Sequence, residues 1–428
     1  MFGPKRTLAS FLSLAASSIS MATAQNKDVT QELIIDQVKK TVVYLQGNFE
    51  CREPHIVNGV QAVAADGTPI FDTSCAEVGT GFIFIYPTPE LGQGVGVPLL
   101  ITSKHLVRHQ RFGAPKGAMQ YYDTVTAFAN TKEPHGDNSF ISPIPITVKE
   151  NGFLECSIDK QDPEADLAIC PISISDAIFD FKGLGPETFV TESKIQDLKL
   201  NETDEVLFSG LFLPYHGAKK NYPIVRHGRL ALIPKEKIPW TGPTGESSMQ
   251  DLYLAEITSW GGNSGSPVFV RLSGAREQGG LLAGVQYLLL GVMMGYFNSD
   301  RPATLDTAAI TDTGHFDVKL SDNSGIAAIV PAEKINEIIG QPRIKAYVSI
   351  VKGMSFSKAG KTPEAESSFK DAIATLQSAD AGHPLLKQAF AQYAAFLQSL
   401  GRYPEASFQS RLANAIGKPS TVPDDQLR

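Results

Sequence analysis

A chain of 428 residues, 42% hydrophobic, 19% charged and 9% aromatic, is long enough for more than one domain. That composition excludes a disordered or fibrous chain. Its net charge is −7, and removing Lys5 and Arg6 with the first 24 residues leaves 36 of the 38 basic residues against 45 acidic ones, a charge of −9. An acidic chain without a basic cluster argues against nucleic-acid binding.

The first element is a leader. Lys5 and Arg6 precede a Leu-, Ala- and Ser-rich run from Leu8 to Ala24 that closes on Ala22-Thr23-Ala24. A charged start, an apolar middle and a small-x-small end predict export, with cleavage before Gln25. The run is short and serine-rich for a membrane span, and no other stretch approaches one. The reading is a soluble protein, secreted or periplasmic. Export places Cys51, Cys75, Cys156 and Cys170 in an oxidising space, where three pairings are open. Proximity in the sequence favours Cys51–Cys75 and Cys156–Cys170. No Cys-x-x-Cys occurs, so zinc or thioredoxin-type chemistry is not expected, and neither a metal nor another cofactor is called for.

From about Val29 to Gly340, short β-type runs alternate with Gly, Pro, Asn and Asp. They are Thr41–Gln46, Gly81–Tyr86, Leu99–Thr102, Asp166–Cys170, Glu205–Phe212, Leu230–Ile233, Pro267–Arg271, Leu288–Tyr296 and Ile326–Val330. Many strands with few helical patterns between them predict antiparallel barrels or sandwiches rather than a doubly wound sheet. The stretch from Arg111 to Gln161, rich in Pro, Gly, Asn and Lys, reads as long surface loops.

After Gln341 glycine becomes sparse and Ala, Leu, Lys, Gln and Glu take helical spacing. Gly360-Lys361-Thr362-Pro363-Glu364-Ala365 aligns with Gly401-Arg402-Tyr403-Pro404-Glu405-Ala406. In the same register Gly353 matches Ala394, Ala372 matches Ala413, and Phe356 matches Leu397. Small residues where helices would cross resemble tetratricopeptide repeats, with the loop through Ala379–Pro384 absorbing a longer spacing. Two such units are too few to stand alone, so they are expected to pack on the β domain or on a second subunit. The organisation expected is a leader at 1–24, a β domain at 25–340, helical repeats at 341–418 and a tail at 419–428.

The chemistry lies in three places. Residues Gly261 to Val268 read Gly-Gly-Asn-Ser-Gly-Ser-Pro-Val. A serine between glycines on a tight turn exposes its hydroxyl, and the N–H groups of Gly262 and Ser264 can converge as an oxyanion hole. A serine nucleophile needs a base and a carboxylate to orient it. His105 follows the apolar run Leu99-Leu100-Ile101-Thr102, and Asp166 opens Asp166-Leu167-Ala168-Ile169-Cys170.

The order His105, Asp166, Ser264 is that of the chymotrypsin-type arrangement. With Val78-Gly79-Thr80-Gly81-Phe82-Ile83 upstream, these motifs resemble the bacterial trypsin-like serine peptidases, including the HtrA/DegP and glutamyl-endopeptidase branches. The resemblance covers most of residues 40–335. It implies a mostly β protein with two six-stranded antiparallel chymotrypsin-like barrels and the triad in the cleft between them, followed by a small all-α helical-repeat domain. It also implies Ser264 as nucleophile, His105 as general base and then acid, Asp166 as orienting carboxylate, and Gly262 and Ser264 as oxyanion donors. Thr258, Met294, Gly295, Tyr296 and Ala327 would line the substrate pocket. That wall offers no buried acid and no histidine on the Met293–Phe297 strand, which points to a small or medium apolar residue before the cleaved bond.

Competing residues have blander readings. His109 follows His105 by four residues, and Asp162 sits in the polar run Lys160-Gln161-Asp162-Pro163. Ser259 and Ser266 read as turn residues, and His55, His135, His216, His227, His315 and His383 as structural or surface histidines. Ile56-Val57-Asn58-Gly59 resembles the new N-terminus of a cleaved trypsin zymogen. Asn263, however, carries no charge to pair with a buried ammonium, so a turn inside the Cys51–Cys75 loop is the better reading. The function expected is an exported serine endopeptidase that acts on a protein or peptide, its helical repeats recruiting a protein partner or substrate. The alternative is a protease-like scaffold without turnover.

Overall fold

The computed structural model describes residues 11–12 and 34–416, apart from short segments at 58–59, 65, 116–117, 243–246, 277–279 and 309–312. The expected leader cleavage site before Gln25 and the expected tail at 419–428 lie outside the described residues.

The second half of the β region closes into a six-stranded barrel. Its strands run in the order Glu205–Gly210, Ile224–Leu232, Tyr253–Glu256, Thr313–Pro331, Gly280–Ala308, Pro267–Arg276 and back to the first. Val206, Phe208, Val268, Val270, Met293 and Ile329 fill it, alternating with residues that face outwards. Beyond the barrel the last two strands continue as a ribbon, from Asn298 opposite Asn323 to Ala308 opposite Thr313.

The first half departs from expectation. Instead of a second closed barrel it forms a nine-stranded sheet. Its main path runs Ser139–Thr147, Thr124–His135, Val42–Pro54, Phe71–Pro87, Gly96–Thr102, Ala168–Pro171, Ser157–Ile158. Pro143 and Pro145 mark the first of these as an edge strand, because each removes a ladder donor. At the other end Ser157–Ile158 is too short to extend the ladder.

The span read as loops between Arg111 and Gln161 holds the hairpin Thr124–His135 and Ser139–Thr147. Val125, Ala127 and Ala129 alternate inwards there, and two small side chains among three make the apolar period faint in the sequence. Both disulfides pair as proximity suggested, Cys51 with Cys75 and Cys156 with Cys170. The Ile56–Val57 segment pairs with Val60–Gln61 as an exposed hairpin within the first loop.

One core joins the two halves. Phe82, Leu99, Ile101 and Ile169 from the sheet meet Leu207, Phe269, Leu289 and Val330 from the barrel. Ile335 and Ile338 of the Ala332–Ile339 helix, and Ile344 and Val348 of the Pro342–Lys358 helix, complete it. No helix among the described residues is long and apolar enough to cross a membrane.

Four helices follow as two hairpins: Pro342–Lys358 with Thr362–Ala379, and Pro384–Ser399 with Tyr403–Ala415. Gly360 and Gly401 occupy equivalent turns at φ +72° and +73°, left-handed values that favour glycine. Pro363 and Pro404 then stand in the first turns of the second helices. At Gly353 a Cβ would press on the Phe369 ring, which is why a small residue stands at that crossing. The helices pack on the β region: Gln341 Nε2 donates to Ile158 O (2.8 Å) and Arg343 Nη1 to Leu154 O (2.7 Å).

The Cys156–Cys170 bridge ties the open sheet at its short strand. Replacing both cysteines by serine is expected to lower unfolding free energy by about 3 kcal/mol, the chain-entropy value for so short a loop. Urea titration at fixed pH measures it, and an unchanged midpoint would show that the bridge adds no stability.

Candidate active site

The site is assembled where the sheet meets the barrel. Gly96–Thr102 delivers its chain into a short 3₁₀ turn, Lys104–Val107, that carries His105. Ala168–Pro171 pairs with that strand, Ala168 opposite Thr102, and so brings Asp166 alongside. Both carboxylate oxygens of Asp166 are engaged: Oδ1 accepts from the His105 backbone N–H (2.8 Å) and Oδ2 lies 2.6 Å from His105 Nδ1. This two-point grip fixes the ring and favours a proton on Nδ1, leaving Nε2 to act as a base.

The electrostatics follow from burial. The Asp166 side chain is only 6% exposed and that of His105 27%. Burial alone would raise the Asp166 pKa, but the His105 ring beside it, by charge and by hydrogen bond, brings it down to about 2. For His105, burial disfavours the charged ring, and the Asp166 carboxylate outweighs it, with Glu77 adding, so the pKa rises. Lys104, buried next door, donates to the Pro163 carbonyl, and burial pushes its ammonium down to about 8.

The Gly-Asn-Ser-Gly turn is stitched by its own side chains. Asn263 N–H donates to Trp260 O (3.0 Å), and Gly262, third in that turn, has φ +90°, the position at which a type II turn requires glycine. The Asn263 side chain is wholly engaged: Oδ1 accepts from Trp260 N–H (2.8 Å) and Nδ2 donates to Leu211 O (2.5 Å). Among the described residues neither the Gly262 nor the Ser264 N–H has a protein acceptor. Ser264 Oγ donates to Met294 O (3.0 Å), so its hydroxyl must leave that carbonyl before its proton can pass to a base.

Thr80 clasps this turn to the sheet. Its N–H donates to Ser264 O (2.9 Å), and its Oγ1 donates to Gly262 O (2.7 Å) and accepts from Leu211 N–H (2.9 Å). Its carbonyl accepts from Thr102 Oγ1 (2.8 Å), three residues before His105. Gly265, at φ +81°, packs so tightly here that a Cβ would lie 1.9 Å from Thr80 O. Ser103 Oγ adds a bond to Met293 O (3.1 Å). Neither Thr80 nor Ser103 was singled out from the sequence, although Thr80 stands inside the Val-Gly-Thr-Gly motif.

The residues expected to line the pocket fall in different places. Met294, Gly295 and Tyr296 run past Ser264, Thr258 is exposed, and Ala327 is buried in the barrel core. Trp240, on the Ile238–Thr241 hairpin strand, packs on Gly295 and meets Phe297 edge-on at 5.1 Å. Sequence reasoning missed it because no local pattern joins a hairpin to a strand more than fifty residues away.

The competitors are either bonded elsewhere or buried. His109 is buried between Phe49, stacked at 5.0 Å, and Tyr122, tilted at 4.6 Å, with Nε2 3.0 Å from Gln120 Nε2. Asp162 bonds to Lys237 (2.9 Å) and Lys334 (3.2 Å) and anchors the Ala332–Ile339 helix. Ser266 is buried against Gly210, and Ser259 is buried as well. His55 pairs with Asp72 (2.8 Å), His216 meets Tyr44 edge-on, and His135 bonds Ser139 O. No group of three or more potential metal ligands occurs among the described residues.

No protein-family model and no curated protein matches the sequence. Among solved structures, the Rv3671c protease from M. tuberculosis in its active form aligns at 15% identity and a TM-score of 0.32, covering 79% of this chain and 92% of that one. The inactive form aligns at 16% identity and 0.32, covering 73% and 93%. A mutant of the same protein from M. tuberculosis H37Rv, also inactive, aligns at 13% identity and 0.33, covering 76% and 97%. The functional reading rests on the geometry of the site itself.

Thr80→Val removes both bonds of Oγ1 and leaves Gly262 O and Leu211 N–H without partners. Each buried orphan costs about 1–3 kcal/mol, so a stability loss of several kcal/mol is expected, whereas Thr80→Ser should stay near wild type. Thermal unfolding of both variants measures this, and equal behaviour would show that the hydroxyl is not the clasp.

Proposed function

We propose that the chain is an exported serine endopeptidase. The observation that supports it most is the two-point grip of Asp166 on His105, beside a glycine-built turn that offers Ser264 and two N–H groups without acceptors. In this reading His105 Nε2 takes the proton of Ser264 Oγ as the oxygen attacks a peptide carbonyl. The N–H groups of Gly262 and Ser264 hold the oxyanion, and His105 returns the proton to the leaving amine. Water then hydrolyses the acyl-enzyme by the same steps. Met294, Gly295 and Tyr296, with Thr258 and the added Trp240, would form the specificity wall, which favours a small or medium apolar residue.

The two disulfides suit an oxidising compartment, and the leader at 1–24 would deliver the chain there. The β region at 25–340 would be the peptidase unit. The repeated hairpins at 341–418 would be tetratricopeptide-like and recruit a protein substrate or partner. Asn263, neutral and already bonded on both sides, leaves no acid for a zymogen-type ammonium to meet.

The second reading is a scaffold without turnover, and the bond from Ser264 Oγ to Met294 O speaks for it. Labelling with a fluorophosphonate separates the two. The peptidase reading expects an adduct on Ser264 that Ser264→Ala abolishes; no adduct under conditions that label a control protease sinks it.

Because the Asp166 carboxylate raises the His105 pKa, the neutral base is lost as pH falls through a value above the ordinary 6.5 or so of imidazole. The acid limb of kcat/KM is therefore expected above about 6.5. Asp166→Asn should lower kcat by about 10⁴-fold and shift that limb downwards, since only Glu77 then opposes the effect of burial on the imidazole. A limb that stays in place would remove Asp166 from this role.

A further inference from the structure

The barrel holds Ser264 between two strands. Pro267–Arg276, which follows the Gly-Asn-Ser-Gly turn, pairs with Gly280–Ala308 on one side and with Glu205–Gly210 on the other. The turn is bonded both ways: Gly265 N–H donates to Met293 O (2.7 Å), and Asn263 Nδ2 donates to Leu211 O (2.5 Å). The chain that leaves Glu205–Gly210 therefore flanks Ser264 on the side away from Met294, opposite the proposed specificity wall.

That flank is apolar and pinned in place. Leu213 lies against the turn: a Cβ on Gly262 would meet its side chain at 3.0 Å, and one on Gly261 at 3.8 Å. The side chain is nevertheless open to solvent, with Leu213 44% exposed, whereas Leu211 two residues earlier is buried. Tyr215 on the same segment, and Trp260 beside Gly261, are more exposed still. One exposed leucine would mean little, but three large apolar residues on the two segments that meet at Gly262 mark a surface for another molecule to cover. The segment is also held at both ends. Leu211 N–H donates to Thr80 Oγ1 (2.9 Å), and Tyr215 N–H closes a turn on Phe212 O (3.0 Å). Asn221 is tied to Asn130 and Phe128 by bonds of 2.8 to 3.0 Å. Leu213 thus costs little ordering entropy when something binds it.

A peptide whose carbonyl oxygen points between the Gly262 and Ser264 N–H groups has two flanks to follow. With the residue before the cleaved bond on the Met294–Tyr296 side, the leaving chain passes over the other flank and meets Leu213. Neither Leu211–Asn221 nor Ser259–Asn263 contains an acid, so this flank offers apolar contact and no partner for a cation.

We propose that Leu213 sets specificity on the leaving side, selecting an apolar residue at one of the first two positions after the cleaved bond. Such selection rests on the peptidase reading above and gives its substrate a second half, an extended segment that is apolar on both sides of the bond. Leu213 acts there by binding, not on the reacting atoms.

Peptides randomised at every position are digested with the full-length chain and the products sequenced by mass spectrometry, with Ser264→Ala as the blank. Leu, Ile and Phe are expected to be enriched about tenfold over Gly and Asp at the first or second position after the cut, the low end for an apolar contact at a half-open site. Leu213→Ser should bring that ratio close to one. Leu213→Arg should turn the preference towards Asp and Glu, a gain that a merely structural leucine would not give. No cleavage beyond the blank defeats the peptidase reading and this proposal with it. Cleavage without enrichment on the leaving side overturns the proposal alone, as does a Leu213→Arg profile identical to wild type. Enrichment of Lys or Arg, which the half-buried Glu77 near His105 would favour, overturns it as well.

Discussion

The site depends on one buried threonine. Thr80 lies in the sheet, yet its bonds reach Ser264 and Gly262 on the Gly-Asn-Ser-Gly turn, Leu211 after the first barrel strand, and Thr102 before His105. Three segments from two halves of the molecule thereby share one residue's polar groups. A hydroxyl is needed because the Gly262 carbonyl and the Leu211 amide call for a group that both donates and accepts. Gly265 lies so close to the Thr80 carbonyl that no side chain would fit between them. Small residues on one partner and a short hydroxyl on the other make the approach work.

On that frame the electrostatics divide between two elements. Asp166 is buried and held by both of its oxygens, so it acts as a fixed negative charge rather than a titrating group. His105 borrows its basicity from that charge. The Gly-Asn-Ser-Gly turn contributes no charge. It contributes direction, through Gly262 at positive φ and the doubly bonded Asn263. A neutral residue suffices at Asn263 because its work is to join Leu211 to Trp260.

Much of this was legible in the chain. Apolar runs such as Leu99–Thr102 and Pro267–Arg271 carry enough consecutive hydrophobic side chains to announce buried strands, and the glycines around Ser264 announce their turn. The repeat was legible through Gly360 and Gly401, because a left-handed turn tolerates few residues other than glycine. The Thr124–His135 strand was not, since Ala127 and Ala129 fill its inner face with little hydrophobic signal. Nor was the open edge of the sheet: Pro143 and Pro145 can be read as loop residues as easily as edge residues. Trp240 and Thr80 were missed for another reason, as their importance lies in partners distant in sequence, which no periodicity encodes.

The bonds that fasten the helices to the sheet also bear on how the protein is made. Leu154 and Ile158 offer their carbonyls to Arg343, His383 and Gln341, groups that leave the ribosome nearly two hundred residues later or more. A chain that emerges from its N-terminus therefore presents this rim of the sheet bare until Gln341, Arg343 and His383 have followed. Ile335, Ile344 and Val348, which complete the core shared by both halves, arrive equally late. The site thus gains its full support only after the first of these helices is made, and a partly made molecule lacks the packing that would hold it in shape.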